Sequence, residues 1–349
     1  MATNELVRYQ DAAIPLTAAA ASQADNYSAQ TALYATHQRI HALQEALTGA
    51  SVDGKSGNTL IFTRTAANGG EYESLQAAVD AASSGDVVVV GAGSWGEVVL
   101  KGGISLVGLQ PPLADDVVLS KLTFAPSSGG AVANTAYVSN LRISSNSDAS
   151  SLVLGSASAP VRVTMSGVRV YRNNAAATTA MVSCSGNVAD TSIYMKDCMF
   201  THEGGQVASS ITLLSSSARY LDLVACQFSE GGRCLDVTAG TTGASLCRFE
   251  TASTISCVKV AAASTLALGN SLVRNLGTNS SGIELVNAGT SVCAVSDTVF
   301  DVSAGTGKVV LGSGVLAKNN ITVQPAALGA RNTSITALTV TQLAFQVPA

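Results

Sequence analysis

The chain has 349 residues, of which only 12% are charged and 5% aromatic, and its net charge is −4. So weak a charge gives no electrostatic basis for holding nucleic acid or an anionic membrane surface. Few aromatic and charged residues, with Ala, Ser, Gly, Val and Thr filling the space, argue against an ordinary globular enzyme core and suit a stack of thin coils.

From the N-terminus, the apolar runs "AAIPLTAAAA" and "VVVVGAG" are short, small or broken by Gly, so no membrane insertion is expected. The opening "MATNELVRYQDAAIP" carries an early acidic residue and no basic stretch before an apolar run, so it is not expected to be a secretory leader. Up to Ala50 the pattern is helical. Ala29, Leu33, Thr36, Ile40, Leu43 and Leu47 follow one another in steps of four and three, with Thr36 the polar, weakening member. Two readings stand: one amphipathic helix lying against the rest of the chain, or a short parallel coiled coil joining identical chains. The second makes Leu33, Thr36, Ile40, Leu43 and Leu47 an oligomerisation seam and residues 1–50 an anchor. His37 and His41 lie four apart on this helix and could ligate a metal, but a solvated helix face is the simpler reading, and neither metal nor cofactor is expected. Residues 51–58, rich in Gly and Ser, form a linker.

From residue 59 to 324 short runs of Val, Ile and Leu recur between Gly, Ser and Asn. A six-residue unit repeats as "LSKLTF" ending at Phe124, "VSNLRI" at Ile143, "MSGVRV" at Val170, "MKDCMF" at Phe200 and "LVACQF" at Phe228. It continues as "ASLCRF" at Phe249, "ALGNSL" at Leu272, "VSDTVF" at Phe300 and "LAKNNI" at Ile321. Successive ends lie 19 to 30 residues apart. A second strand-like segment follows each unit, around Leu152, Val182, Ile211, Leu235, Val258, Ile283 and Val309. Phased strands in such a repeat predict a solenoid, because one coil cannot bury its apolar residues whereas stacked coils share an interior. Parallel stacking places equivalent residues about 4.8 Å apart. Phe200, Phe228, Phe249 and Phe300 should then share a column, with Leu272 between the last two, and Cys198, Cys226 and Cys247 another, as should Cys234 and Cys257. The seven cysteines, odd in number and without CxxC spacing, read as buried free thiols rather than a disulfide framework. The tail, residues 325–349, alternates as a half-buried strand would.

The segment Ser74 to Leu109, "SLQAAVDAASSGDVVVVGAGSWGEVVLKGGISLVGL", resembles the opening of the pectate-lyase-like, right-handed parallel β-helix superfamily. The resemblance implies a capping helix over about 74–83 with Leu75, Ala78, Val79 and Ala82 as its apolar face. It further implies a turn at Gly85–Asp86, a strand at Val87 to Val90, and a second turn at Gly93 and Trp95. A cap is what the solenoid mouth needs, since a bare coil leaves an open strand edge. The superfamily includes pectin lyases, esterases and polygalacturonases as well as bacteriophage tailspikes and fibres, so it implies fold more sharply than activity.

Glycoside hydrolysis needs two carboxyl groups roughly 5 to 9.5 Å apart. Asp197 and Asp297 share a repeat position but stand too many coils apart. Glu203, Glu230, Glu250 and Asp301 fall just after the ladder position, and Glu230 with Glu250, on adjacent coils, is the weak catalytic candidate; the plain alternative is a set of solvated turn residues. No acidic cluster suited to calcium-assisted elimination is evident on one face. Arg142, Arg169, Arg172, Arg219, Arg233 and Arg248 look dispersed, though Arg142, Arg169 and Arg248 share one position and could bind an anionic glycan or form a solvated row. Trp95, the single tryptophan, sits at a structural turn and not on a sugar platform.

The expectation is therefore a non-enzymatic, mainly β, right-handed parallel β-helix with an N-terminal helical segment and a short C-terminal strand. It would serve as a trimeric structural appendage of a bacteriophage virion, a tail fibre, spike or capsid decoration assembled in the host cytoplasm. Its partners would be copies of itself, other virion proteins bound through residues 1–50, and a host surface glycan. The alternative is a polysaccharide-degrading tailspike, lyase or hydrolase.

Overall fold

In the computed structural model the chain divides into two units, Met1–Gln44 and Glu45–Ala349. The residues described all belong to the second: 72, 74–108, 117–126, 129–131, 133–156, 158–174, 176–202, 211–277, 281–286 and 291–302, with the backbone of 60–63, 308–312 and 315–324. The seam expected at Leu33, Thr36, Ile40, Leu43 and Leu47, the linker and the tail beyond 324 lie outside them.

The cap forms where the sequence places it, as a helix over Leu75–Ala81 whose Leu75, Ala78 and Val79 are buried. Ser74 starts it, its side-chain oxygen accepting from the Ala77 N–H at 3.4 Å, which satisfies one of the donors a helix start leaves open. Gln76 clips the helix to the strand Gly93–Lys101: its Oε1 accepts from Val99 N at 2.8 Å and its Nε2 donates to Val99 O at 3.2 Å. Lys101 Nζ donates to the carbonyls of Asp80 and Ala82 at 2.8 and 3.1 Å, meeting the negative end of the helix. Trp95 lies inside the same strand, buried, its indole N–H donating to Gly91 O at 3.0 Å. Val87–Val90 is buried at all four positions, which is why it reads as an unbroken Val run and not as an alternation.

All strand pairs are parallel, and the strands belong to three ladders that the chain visits in turn. In the first, the inward column runs Val88, Leu106, Val138, Met165, Met195, Leu223, Ala244, Leu268 and Val295. In the second it runs Trp95, Leu119, Ile143, Val170, Phe200, Phe228, Phe249, Val273 and Phe300. The third holds Val98, Leu122, Leu152, Val182, Leu214, Leu235, Val258 and Ile283. These columns form one continuous apolar core, so each coil is completed by its neighbours. Phe200, Phe228 and Phe249 stack with centroids 4.7 and 4.9 Å apart, the strand spacing itself.

The expected column is right for its four phenylalanines and one residue out elsewhere. Val273, not Leu272, lies between Phe249 and Phe300, and Val323, not Ile321, pairs with Phe300. Phe124 pairs with Leu100 in the third ladder, and Leu119 takes the place expected for it in the second. The cause is that "LSKLTF" lies in the strand Val117–Ala125, which bends from the second ladder into the third.

The corner between the first and second ladders has its own column. Asn140, Gly167, Asp197, Ala225, Leu246, Asn270 and Asp297 all have φ between 47° and 63°. Left-handed backbone there turns the chain sharply, and Asn, Asp and Gly adopt it most cheaply. Asp197 and Asp297 thus share a position, as expected, but as corner residues. One residue further, Leu141, Val168, Cys198, Cys226, Cys247, Ser271 and Thr298 point inward and are buried. The opposite corner, between the second and third ladders, is polar inside. Arg172, His202, Thr251 and Asn275 are buried there and hold the carbonyls of the connecting loops. Arg172 donates to Thr179 O at 2.8 Å and Ala149 O at 2.6 Å, His202 Nε2 lies 3.1 Å from Asn174 O, and Asn275 donates to Ile255 O at 2.8 Å. Arg172, read from the sequence as one of several dispersed arginines, is therefore structural. Asp148 on the outer side of this corner accepts from the backbone N–H groups of Thr178 and Thr179, and those bonds hold its carboxyl below the usual carboxylate range.

Candidate functional site

Strand alternation decides which side chains face outward on the second ladder. In Arg248–Thr251, Phe249 and Thr251 are buried while Arg248 and Glu250 point out; in Leu272–Asn275 the outward pair is Leu272 and Arg274. Register then places Glu250, Arg274 and Asp301 one above another, about 4.8 Å per step. Arg274 Nη1 donates to Glu250 Oε1 at 2.9 Å and its Nε to Asp301 Oδ2 at 2.7 Å. Arg248 Nη2 reaches the same Glu250 Oε1 at 2.8 Å. One guanidinium is thus clamped between two carboxylates, and the hydrogen bond it donates to Asp301, followed by the nearby negative charge, raises its pKa. The group is half-buried: Glu250 and Asp301 side chains keep 23% and 20% of their exposure.

On the other side of Glu250 the ladder carries a bulge. Phe228 pairs with Phe249 and Gly231 with Thr251, so Ser229 and Glu230 together oppose Glu250. Glu230 is exposed, has φ 64° without being glycine, and no described residue pairs with its carboxylate. A bulge re-aims the side chains it carries and is frequent beside active sites. Gly231 is obligatory in this bend, since a Cβ there would meet the side chain of Leu213 at 2.5 Å. Gly232 alone then separates this strand from the next, Arg233–Val237, whereas the following coil passes through residues 252–257 between the same two ladders.

The expected pair Glu230 and Glu250 lies on adjacent coils, Glu230 in the bulge and Glu250 on the strand that faces it. Asp301, weighed with them from the sequence, joins through Arg274, which sequence reasoning missed. The one-residue error in the column at Leu272 hid it: with Val273 inward, Arg274 falls on the position of Glu250. Glu203, His37 and His41 lie outside the described residues, and His202 is buried. Arg142, Arg169 and Arg248 occupy one outward ladder as expected, and the Arg142 guanidinium stacks 4.5 Å over the Tyr171 ring. Among the described residues no three His, Cys, Asp or Glu side chains are grouped so as to hold a metal ion.

A second charged group lies on the third ladder, where Asp236, Lys259 and Glu284 are in register. Arg233 bridges Asp236 at 3.5 Å and Glu284 at 3.3 Å, and Ser256 donates to Glu284 at 3.2 Å. Its carboxylates are all engaged from within the chain, and through Ser256 it ties the loop 252–257 to the sheet. The seven cysteines are buried and free, and Cys198, Cys226, Cys247, Cys234 and Cys257 stand in the columns the repeat predicted.

No known protein family matches the sequence, and no curated protein is similar to it. Two solved structures align with 76% of the chain. One is an alginate lyase from Paenibacillus sp. str. FPU-7, at 13% identity over 96% of that chain with a TM-score of 0.28. The other is the A-module of the mannuronan C-5 epimerase AlgE4 of Azotobacter vinelandii, at 12% identity over 94% of that chain with a TM-score of 0.34. The expectation of a non-enzymatic chain is corrected here, because both of these parallel β-helix chains are enzymes and the architecture gives no ground for excluding catalysis. At such identities and scores the likeness carries no argument about substrate or reaction.

Proposed function

We propose that the chain degrades a polysaccharide by acid–base chemistry on the outer face of the second ladder, with Glu230, Glu250 and Asp301 around Arg274 as its active residues. The observation that carries this reading is the guanidinium of Arg274 held between the carboxylates of Glu250 and Asp301 on neighbouring coils, beside a bulge whose exposed Glu230 pairs with no described residue.

Cleaving a glycosidic bond needs one carboxyl group to protonate the departing oxygen and a second carboxylate across the bond to activate water or attack the sugar. Glu230, which pairs with no described residue, is suited to move the proton. Glu250, fixed by Arg248 and Arg274, is suited to act from the other side. In β-elimination the same carboxylates would take the proton while Arg274 or Arg248 neutralises the adjoining acid group of the sugar. Tyr171 and Thr201 lie on the same outward row, so an extended chain laid along the ladder meets an aromatic ring and hydroxyls before reaching Glu230.

The test is to incubate the full chain with capsular and cell-wall polysaccharides and follow new reducing ends together with ultraviolet absorbance, which only elimination products show. Glu230→Gln and Glu250→Gln should each lower the rate by about 10²–10⁴-fold with circular dichroism unchanged. Product formation untouched by both substitutions, or none from any polymer, refutes the assignment. We place this activity on an oligomer joined through residues 1–50, a reading supported by the heptad spacing of Leu33, Thr36, Ile40, Leu43 and Leu47. A monomeric mass in light scattering would remove that setting while leaving the site assignment untouched.

A further inference from the structure

Arg248 and Glu250 belong to a stretch of chain whose two ends meet inside the core. Cys234 lies in the strand Arg233–Val237, and Cys257 immediately precedes the strand Val258–Val260 of the next coil. Leu235 pairs with Val258, so the two cysteines stand opposite each other, and Cys234 N donates to Cys257 O at 2.8 Å. Both are fully buried. Parallel neighbours are about 4.8 Å apart, inside the roughly 4.4–6.8 Å between Cα atoms that a disulfide spans. Cys234 Sγ donates to Glu250 O at 3.4 Å. The pair is isolated: the same register puts Leu213 before Cys234 and Gly282 after Cys257. Cys198, Cys226 and Cys247 instead form a run of three, in which no single partner is defined.

We propose that Cys234 and Cys257 join in a disulfide between adjacent coils when the chain folds in the presence of a disulfide oxidant. One thiolate attacks the oxidant, forming a mixed disulfide and releasing one reduced thiol. The other thiolate then attacks the protein sulfur of that mixed disulfide and expels the second reduced thiol. The protein loses two protons and two electrons, and one oxidant disulfide becomes two thiols. The bond closes a loop that contains Arg248, Glu250 and residues 252–257, so it staples the coil of the candidate site to its neighbour. It is independent of what that site does.

Timing follows from burial. The thiolate is the attacking species, and desolvation in the core drives Cys234 well above the ordinary thiol range, as it pushes Cys184 and Cys293 to about 12. Once the coils have closed the thiols are inert, whereas in the open chain they react as ordinary cysteines.

The full chain is refolded from denaturant in mixed reduced and oxidised glutathione and, in parallel, with reductant alone. Both samples are denatured, alkylated, digested and weighed. The oxidised sample should yield a peptide pair linked through Cys234 and Cys257, lighter by two hydrogens than the free peptides. It should also unfold at a higher denaturant concentration, a gain that reductant abolishes and that Cys257→Ala lacks. Folded reduced protein given the same buffer should form the link far more slowly. Recovery of both cysteines as free alkylated thiols after oxidative refolding overturns the proposal, as does their linkage to other cysteines; both results are read on the unsubstituted chain.

Discussion

Replacing each ladder phenylalanine by leucine separates ring stacking from simple burial. Phe228 lies between two rings, at 4.7 Å from Phe200 and 4.9 Å from Phe249, and is 1% exposed. Phe300 is equally buried but pairs with Val273 and Val323. Phe200 and Phe249 each face one ring and one valine. Leucine conserves most of the volume, so the shared cost is the modest one of a volume-conserving core swap, less than about 1.5 kcal/mol. Each aromatic pair adds about 0.5–1.5 kcal/mol beyond burial, so Phe228→Leu should cost about 1–3 kcal/mol more than Phe300→Leu. Phe200→Leu and Phe249→Leu should fall between them. Urea unfolding followed by far-ultraviolet circular dichroism measures the series, with the slope checked for constancy because stacked repeats can lose two-state behaviour. Equal losses for Phe228 and Phe300, at equal slopes, would refute the claim that the rings stack in register.

Leu246 is the costly member of the left-handed corner column, with φ 57° and 62% exposure; Leu246→Gly should raise stability by about 1 kcal/mol, read as a higher melting midpoint, and a decrease would contradict the corner geometry. Gly240, at φ 71°, would bring any Cβ against the carbonyl oxygen of Ala218, so Gly240→Ala should cost at least about 2 kcal/mol in the same measurement. Asp148 is stabilised as the anion by the Thr178 and Thr179 amides. Its folded pKa lies below the unfolded 3.8, so its contribution is present above that pH and lost as pH falls through the folded value. Asp148→Asn should therefore lower the melting midpoint at neutral pH and converge with the parent protein in acid; an equal deficit at all pH values would show that the charge is not involved.

Much of the fold is legible in the chain because a solenoid writes its own period. The phenylalanines at 200, 228, 249 and 300 fall where the repeat puts them, and the Val run at 87–90 and the apolar face of Leu75, Ala78 and Val79 where the resemblance of Ser74 to Leu109 implies them. The polar signals were harder. Asp197 and Asp297 look like outward carboxylates in the sequence, yet their φ near 50° makes them corner residues, a conformation that aspartate adopts readily. Arg172 looks like one of several dispersed arginines, yet it replaces missing donors for loop carbonyls inside the corner.

The sequence by itself determines that coils stack, that one face of each strand is apolar, and that cysteines and phenylalanines align. These follow from composition and local period, which every coil repeats. Only the tertiary structure decides which charges meet. Coil lengths vary from one repeat to the next, so the phase between neighbouring coils is fixed by packing and not by counting. Because a slip of a single residue exchanges inside for outside, placing Leu272 instead of Val273 in the core was enough to conceal Arg274. The bulge at Ser229 and Glu230 has the same origin: an extra residue that the ladder absorbs on the strand facing Glu250.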